Sequence, residues 1–243
     1  MCAMFTHNMK LAEVVQSDFN TLNVINRFGV KLGFGEKSVA RVCADYGINT
    51  EFFLEILNAY HDPNYFPQKH LQSFSVGEIV EYLRKTHRSY IDEGIPFIEE
   101  LMNRMLEDCE NPGEIKPIVK FFNDYKTELF NHLHWEDRDI FPYTLAVEEA
   151  YINGTDASEI IEAMQKYSMT DFLDEHDDIE SKLYDINTLF IKYVPPVSNQ
   201  MICVRILKEF SLLQKDINNH ARIEEKVLAP KVIIMEKELL QKQ

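Results

Sequence analysis

The chain has 243 residues, 45% of them hydrophobic, and a formal net charge of −15. This apolar content can build one large core or two smaller ones, while so negative a surface disfavours binding to nucleic acid and to anionic membranes. The low content of Gly (8) and Pro (9), beside many Leu, Ile, Glu and Lys residues, predicts an all-α fold.

The cysteines indicate a reducing compartment. Cys2, Cys43, Cys109 and Cys203 are scattered and form no CxxC pair, so we predict free thiols. The N-terminus lacks the pattern of a signal peptide, and no stretch reaches ~18 uncharged apolar residues. We therefore expect a cytoplasmic protein with no membrane partner.

The first part of the chain predicts a small helical domain at 1–60. Four short helical patterns follow one another there, at 10–15, 19–28, 36–46 and 50–60. Residues 61–74 contain two prolines and little periodicity, which is typical of a linker.

The segment 75–243 predicts a four-helix bundle. Ser75 and Glu78 have capping-box spacing, and the helix they begin should bend near Gly94 and Pro96. Further long helices are expected from about 115 to Pro142, over 171–193, and from 201 to 227, with Pro230 interrupting the last one.

Two segments share a pattern in which a histidine is followed four residues later by a glutamate, and six residues after that by a proline: 132–142 and 220–230. On a helix, side chains four residues apart lie on one face, so each imidazole and carboxylate can bind the same ion. A single pair of this kind is usually a solvated ion pair. Two copies favour a metal site, because bundle cores build di-iron sites from such side chains.

Each of the predicted long helices also places a histidine on its apolar stripe. A lone histidine there is usually a hydrogen-bonded core residue, and a metal-free bundle stays an alternative interpretation. Burying several imidazoles and carboxylates together would be costly unless strong partners such as metal ions were present. Imidazole and carboxylate without thiolate suit iron, manganese or zinc, and two carboxylates favour a dinuclear centre. The candidate ligands are His87, His132, Glu136, His176, His220 and Glu224.

Other polar residues receive lesser roles. Four histidines lie in the tail, in the linker or off the stripe, and we expect them at the surface: His7, His61, His70 and His134. Five residues lie one or two turns from a candidate ligand and could orient an imidazole or simply be surface residues: Tyr90, Tyr125, Glu128, Glu180 and Asp216.

These motifs resemble those of the hemerythrin-like HHE cation-binding domain, through His87, the His/Glu/Pro segments 132–142 and 220–230, and the pair Glu175-His176. The segments 26–30, 38–43 and 47–48 resemble the small N-terminal domain of the repair-of-iron-centres family. That resemblance implies a hemerythrin-like bundle with two non-haem irons, four terminal histidine ligands, and Glu136 and Glu224 as bridging carboxylates.

The sequence departs from that family at the turn 32–35, Leu-Gly-Phe-Gly, where a Cys-Cys-Gly-Gly element is typical. Residues 88–131 also contain no histidine. Two alternatives follow: one metal keeps an open coordination position, or a nearby side chain supplies a ligand, with candidates Glu107, Asp108, Cys109 and Glu110.

The resemblance implies a protein that binds or reduces O2, NO or peroxide, or donates iron, in repair or defence of iron-sulfur centres. Its partners would be such a small ligand and an iron-sulfur protein, and a second copy in a homodimer is a further candidate. The alternative is a sensor or storage module for O2, NO or iron, which acts through a protein partner without turnover.

Overall fold

The structure is a computed structural model that describes residues 3–154, 158–175 and 179–241. The predicted all-α fold is confirmed: the described residues contain no strand, and Lys10 and Ser38 form only an isolated bridge. Within these ranges, no helix combines the length and apolar character needed to cross a bilayer. In chain order the α-helices are α1 (Leu11–Ser17), α2 (Thr21–Arg27), α3 (Val39–Tyr46), α4 (Thr50–His61), α5 (Gln68–Leu71), α6 (Val76–Ser89), α7 (Ile95–Glu107), α8 (Pro112–Trp135), α9 (Phe141–Asn153), α10 (Ser158–Lys166), α11 (Met169–Glu175), α12 (Ile179–Tyr193), α13 (Gln200–Ile223) and α14 (Ala229–Gln241).

Four helices form the closed ring of the bundle. Helix α7 packs on α8 and α13, and α12 packs on the same two helices from the other side. Helices α6, α9 and α14 extend three of these rods past the centre of the bundle, with α9 packed on both α6 and α14. The capping box predicted at the start of α6 is confirmed, because Ser75 and Glu78 bond reciprocally to each other's backbone.

The prolines at 142 and 230 do not end their helices, contrary to the sequence prediction. A proline in a helix lacks a donor and clashes with the carbonyl four residues earlier. Here a π-helical turn precedes each proline, and the amide just before the proline donates to the carbonyl five residues back. The wider turn relieves the clash, so the rods continue. These π turns are Tyr90–Gly94 before Pro96, Glu136–Ile140 before Pro142, and Glu224–Leu228 before Pro230.

The interior has two apolar clusters. One contains buried residues from 5–83, 140–172 and 223–239, and the other contains buried residues from 90–133 and 179–217. The N-terminal helices thus share their core with one end of the bundle. The π turns lie where one cluster gives way to the other.

A buried ion pair also joins the N-terminal helices to the bundle. Arg27, at the end of α2, donates from both terminal nitrogens to the carboxylate of Asp216 on α13. Its Nε donates to the Ser89 hydroxyl on α6 at 3.2 Å. The side chains of Arg27 and Asp216 are only 4% and 8% exposed, so the pair lies inside the junction.

Candidate metal centre

Four buried side chains converge between the two apolar clusters. They are His87 from α6, Glu136 at the start of the second π turn, His220 from α13, and Glu224 at the start of the third. One ligand atom from each lies within 4.8 Å of all the others. The candidate ligands that sequence reasoning placed on three different rods therefore meet in space.

The distances within this group can be compared with those around a metal ion. The Nε2 atoms of His87 and His220 are 3.0 Å apart, and His220 Nε2 lies 3.0 Å from Glu224 Oε1. His87 Nε2 lies 3.4 Å from Glu136 Oε2 and 3.9 Å from Glu224 Oε1. Ligand atoms ~2.1 Å from an octahedral ion are about 3.0 Å apart when adjacent and about 4.2 Å when opposite. The donor set therefore fits a cation of this kind, and two imidazoles with two carboxylates suit iron.

Glu136 also faces a second histidine. Its Oε1 atom lies 3.2 Å from Nε2 of His132, one turn earlier on α8, whereas its Oε2 atom faces His87. The two oxygens of one carboxylate thus point to imidazoles on different helices. A carboxylate in this orientation can ligate two ions at once. His132 is more accessible than the others, with its side chain 12% exposed.

The protonation state of His220 suits a ligand. Burial lowers the pKa of His220 to about 4, and the Glu136 carboxylate only partly opposes this. Its imidazole is therefore neutral at neutral pH and keeps a lone pair for a cation. The charge that a cation would bring is matched by the two buried carboxylates.

The π turns explain how Glu136 and Glu224 reach the centre. Each is the first residue of its π turn, and its carbonyl accepts the π-type hydrogen bond that closes the turn. The carbonyl of Lys226, four residues before Pro230, is instead bonded by Gln72 Nε2 at 3.0 Å. The shared spacing of histidine, glutamate and proline is therefore the signature of a π turn beside a buried ligand group, as is frequent at functional sites.

The other histidines and glutamates named in the sequence analysis lie outside this group or outside the described residues. His176 lies outside the described residues, as does the side chain of Glu180. His134 is exposed and lies 2.6 Å from the Phe130 carbonyl, as expected of a surface histidine. His61 is more buried than predicted and pairs with Asp18 at 2.8 Å.

The alternative that residues 107–110 supply a ligand is wrong. The rod that carries His87 continues through the π turn and α7 to Glu107, which at 1.5 Å per residue places Glu107 about 30 Å away. Asp108 accepts a hydrogen bond from the Asn199 amide at 2.7 Å. Cys109 is buried in the apolar cluster formed by residues from 90–133 and 179–217. The open coordination position stays a prediction.

Of the five residues that could orient a ligand or simply be surface residues, two lie near the centre. Tyr90 packs edge-on against His220, with ring centroids 5.9 Å apart, and Asp216 is occupied by Arg27. Glu128 pairs with Lys182 at the surface, and Tyr125 is buried in the apolar core.

Sequence reasoning missed Phe141 and Asp137, which both contact His87. The Phe141 ring stacks on the imidazole at a centroid distance of 5.2 Å. Asp137 Oδ1 lies 3.2 Å from its Nδ1. The only sequence signal for these contacts was that Asp137 follows Glu136 and Phe141 precedes Pro142. That signal indicates contact with His87 only when the π turn Glu136–Ile140 is known.

Comparison with known proteins agrees with this geometry. A search of curated protein sequences found no match. The Hemerythrin HHE cation binding domain family matches residues 78–232, a range that contains all four clustered residues. A hemerythrin domain with a buried group of histidines and glutamates fits a metal cofactor, typically iron. The chain belongs to the hemerythrin HHE cation-binding domain family.

Proposed function

We propose that this chain is a non-haem di-iron protein that binds or reduces small oxidants, or donates iron, in the repair or defence of iron-sulfur centres. The observation that supports two ions is the orientation of Glu136, whose Oε2 atom faces His87 and whose Oε1 atom faces His132. His87, His220 and one oxygen from each glutamate would hold the first ion. His132 and the second oxygen of Glu136 would contribute to the other, together with His176.

The chemistry follows from the burial of the centre. Iron would supply a redox-active site for O2, NO or peroxide, and manganese or zinc are the other ions that this donor set accepts. The described side chains keep bulk water away, because His87, Glu136 and Glu224 are 1% exposed or less. The imidazole of His220 is neutral, and the two carboxylates offset part of the positive charge of the cations. A small ligand could enter such a site more readily than a large substrate.

A second candidate function is a sensor or storage module that acts through a protein partner. It is favoured by the turn 32–35, which has no thiol and exposes Leu32 by 73%. A turn without a thiol cannot take part in thiol chemistry, so a chemical role for the N-terminal helices loses support and a binding role gains it. This candidate predicts reversible ligand binding without turnover.

The iron content of variants tests the metal site. Glu136→Gln/Glu224→Gln keeps the shape of both buried side chains but removes their charge, so we expect it to lose stoichiometric iron. Glu128→Gln is the matched control, because Glu128 lies on the same helix as His132 but pairs with Lys182 at the surface. Elemental analysis, with circular dichroism to verify folding, gives the comparison. A folded double variant that still holds two irons would remove the basis of the proposal.

The optical spectrum and a turnover assay separate the two functions. Two irons per chain and a near-ultraviolet band that dithionite bleaches are expected for the dinuclear centre. Sustained consumption of NO or peroxide under reducing conditions would support the first function and contradict the second. One iron, or zinc alone, would contradict the dinuclear assignment.

A further inference from the structure

Two consecutive carboxylates face the two nitrogens of a single imidazole. Nε2 of His87 lies 3.4 Å from Glu136, and Nδ1 of the same ring lies 3.2 Å from Asp137 Oδ1. The Nδ1–Oδ1 contact does not meet hydrogen-bond geometry, and neither atom has a hydrogen-bond partner among the described residues. The imidazole is completely buried, so its Nδ1–H needs an acceptor inside the protein.

Asp137 is held in place from the helix that carries His87. Arg84, three residues before His87 on α6, reaches toward the carboxylate, with its Nε 3.8 Å from Asp137 Oδ1. Its Nη2 donates to the Asp137 carbonyl at 3.5 Å. The guanidinium also lies over the ring of Phe141, which stacks on His87. Arg84 and Phe141 thus fix both the carboxylate and the ring.

The other central histidine lacks such a partner. His220 Nδ1 is buried and has no hydrogen-bond acceptor within the part of the chain that the structure describes. Its Nε2 faces both Glu224 Oε1 and His87 Nε2 at 3.0 Å. Two imidazole nitrogens this close are attractive only if one carries a proton and the other does not.

We propose that Asp137 is a positioning residue that accepts the Nδ1–H of His87 and thereby directs the Nε2 lone pair to the metal. Carboxylates that orient metal-ligating histidines in this way hold the tautomer and make the ligand more basic. This inference rests on the proposed metal site, but it also makes a statement about the metal-free protein. There, His87 carries its proton on Nδ1 and His220 carries its proton on Nε2.

The two histidines therefore differ in whether their metal-free tautomer can already bind a metal. His87 already presents its lone pair, whereas His220 must transfer a proton from Nε2 to Nδ1, through exchange with water, before it can bind. In the absence of the metal the His220 Nε2–H is donated to the Glu224 carboxylate or to His87 Nε2. The asymmetry comes from Asp137, because His87 is the ring whose Nδ1 it contacts.

The first test uses metal-free protein and does not depend on iron. Long-range 1H–15N NMR spectra of histidine-labelled protein report the tautomer of each ring, and His87→Gln and His220→Gln assign the signals. We expect His87 as the Nδ1–H tautomer and His220 as the Nε2–H tautomer. In Asp137→Ala, His87 should lose this preference. An Nε2–H tautomer at His87 in the unmodified chain would overturn the proposal, even if iron binds normally.

The second test measures how fast iron leaves the protein. We expect Asp137→Ala to lose iron to a chelator about 10- to 100-fold faster, and Asp137→Asn, which keeps an acceptor oxygen, to show a smaller effect. Asp139→Asn is the matched control, since Asp139 lies in the same π turn but pairs with Arg138 at the surface. Equal rates for Asp137→Ala and the control would refute the role. Absence of iron in the unmodified chain would count against the metal site alone and would leave the tautomer test intact.

Discussion

Replacing Asp216 with asparagine should destabilise the protein strongly. Asp216→Asn keeps the size of the side chain but leaves the buried guanidinium of Arg27 without a counter-charge. Burial by itself lowers the pKa of Arg27, but the facing carboxylate outweighs this and holds the pKa well above its ordinary value. Asp216→Asn removes that carboxylate, but an arginine guanidinium does not release its proton in proteins, so the variant keeps an uncompensated buried charge.

The magnitude follows from the contacts that Arg27 makes. Both of its terminal nitrogens bond to the lost carboxylate, and a hydrogen bond to a charged group is worth about 1.5–3 kcal/mol. Removal of one partner of a buried ion pair costs about 3–5 kcal/mol, which agrees with two such bonds. With a urea m-value of about 3 kcal/mol per M, the unfolding midpoint should fall by about 1–1.7 M.

Urea unfolding followed by circular dichroism measures this change. The control is Lys182→Met, which breaks an exposed ion pair with Glu128 and should cost less than about 1 kcal/mol. The double replacement Arg27→Met/Asp216→Leu should recover most of the loss, because no buried charge remains. If Asp216→Asn lowered the unfolding free energy no more than the control does, the pair would not have the buried character assigned to it.

Three further outcomes are expected. Ser75→Ala removes the hydroxyl of the capping box and should lower the unfolding free energy by about 1 kcal/mol, measured by urea titration; an unchanged midpoint would argue against the cap. Burial raises the pKa of the Cys43 and Cys203 thiols, so alkylation followed by peptide mass spectrometry should label them slowly in native protein and rapidly in urea, and equal rates would contradict their burial. Burial raises the pKa of Asp18, but the hydrogen bond with His61, the Asn20 amide and the charge of Lys215 together outweigh burial, and the pKa lies below its ordinary value. The resulting stability is present above about pH 4 and is lost as the pH falls through the folded-state pKa, so Asp18→Asn should flatten the acid side of the stability profile, and a parallel profile would refute this.

Much of the fold follows from sequence periodicity. The N-terminal helices begin and end close to the predicted positions, and a short helix, Gln68–Leu71, lies within the predicted linker. The convergence of His87, Glu136, His220 and Glu224 was accessible from the sequence because one apolar stripe per helix fixes which side chains face inward. The domain boundaries at 60 and 75 stay predictions.

The errors and omissions have two physical causes, the π turns and contacts between residues far apart in the sequence. Proline rules describe the regular α-helix, so Pro142 and Pro230 were expected to interrupt their helices, whereas one extra residue in the preceding turn lets each rod continue. The same turn brings Asp137 to His87, which no rule of helical spacing predicts. Arg27 was missed because its partner lies 189 residues away, and a pair that distant leaves no local pattern.

The buried side chains of His87, Glu136, His220 and Glu224 form an ionisable layer between the two apolar clusters. This arrangement affects where the folded chain unfolds locally. The ionisable layer can unfold locally while each apolar cluster keeps its packing. The reason is that the side chains of the layer carry charge, whereas those of the clusters make apolar contacts. Buried amides near the π turns should then exchange with deuterium sooner than those of either cluster in metal-free protein. A bound cation would hold the ionisable layer together. Metal loading should therefore increase the protection of backbone amides from exchange at the centre of the helices rather than at their ends.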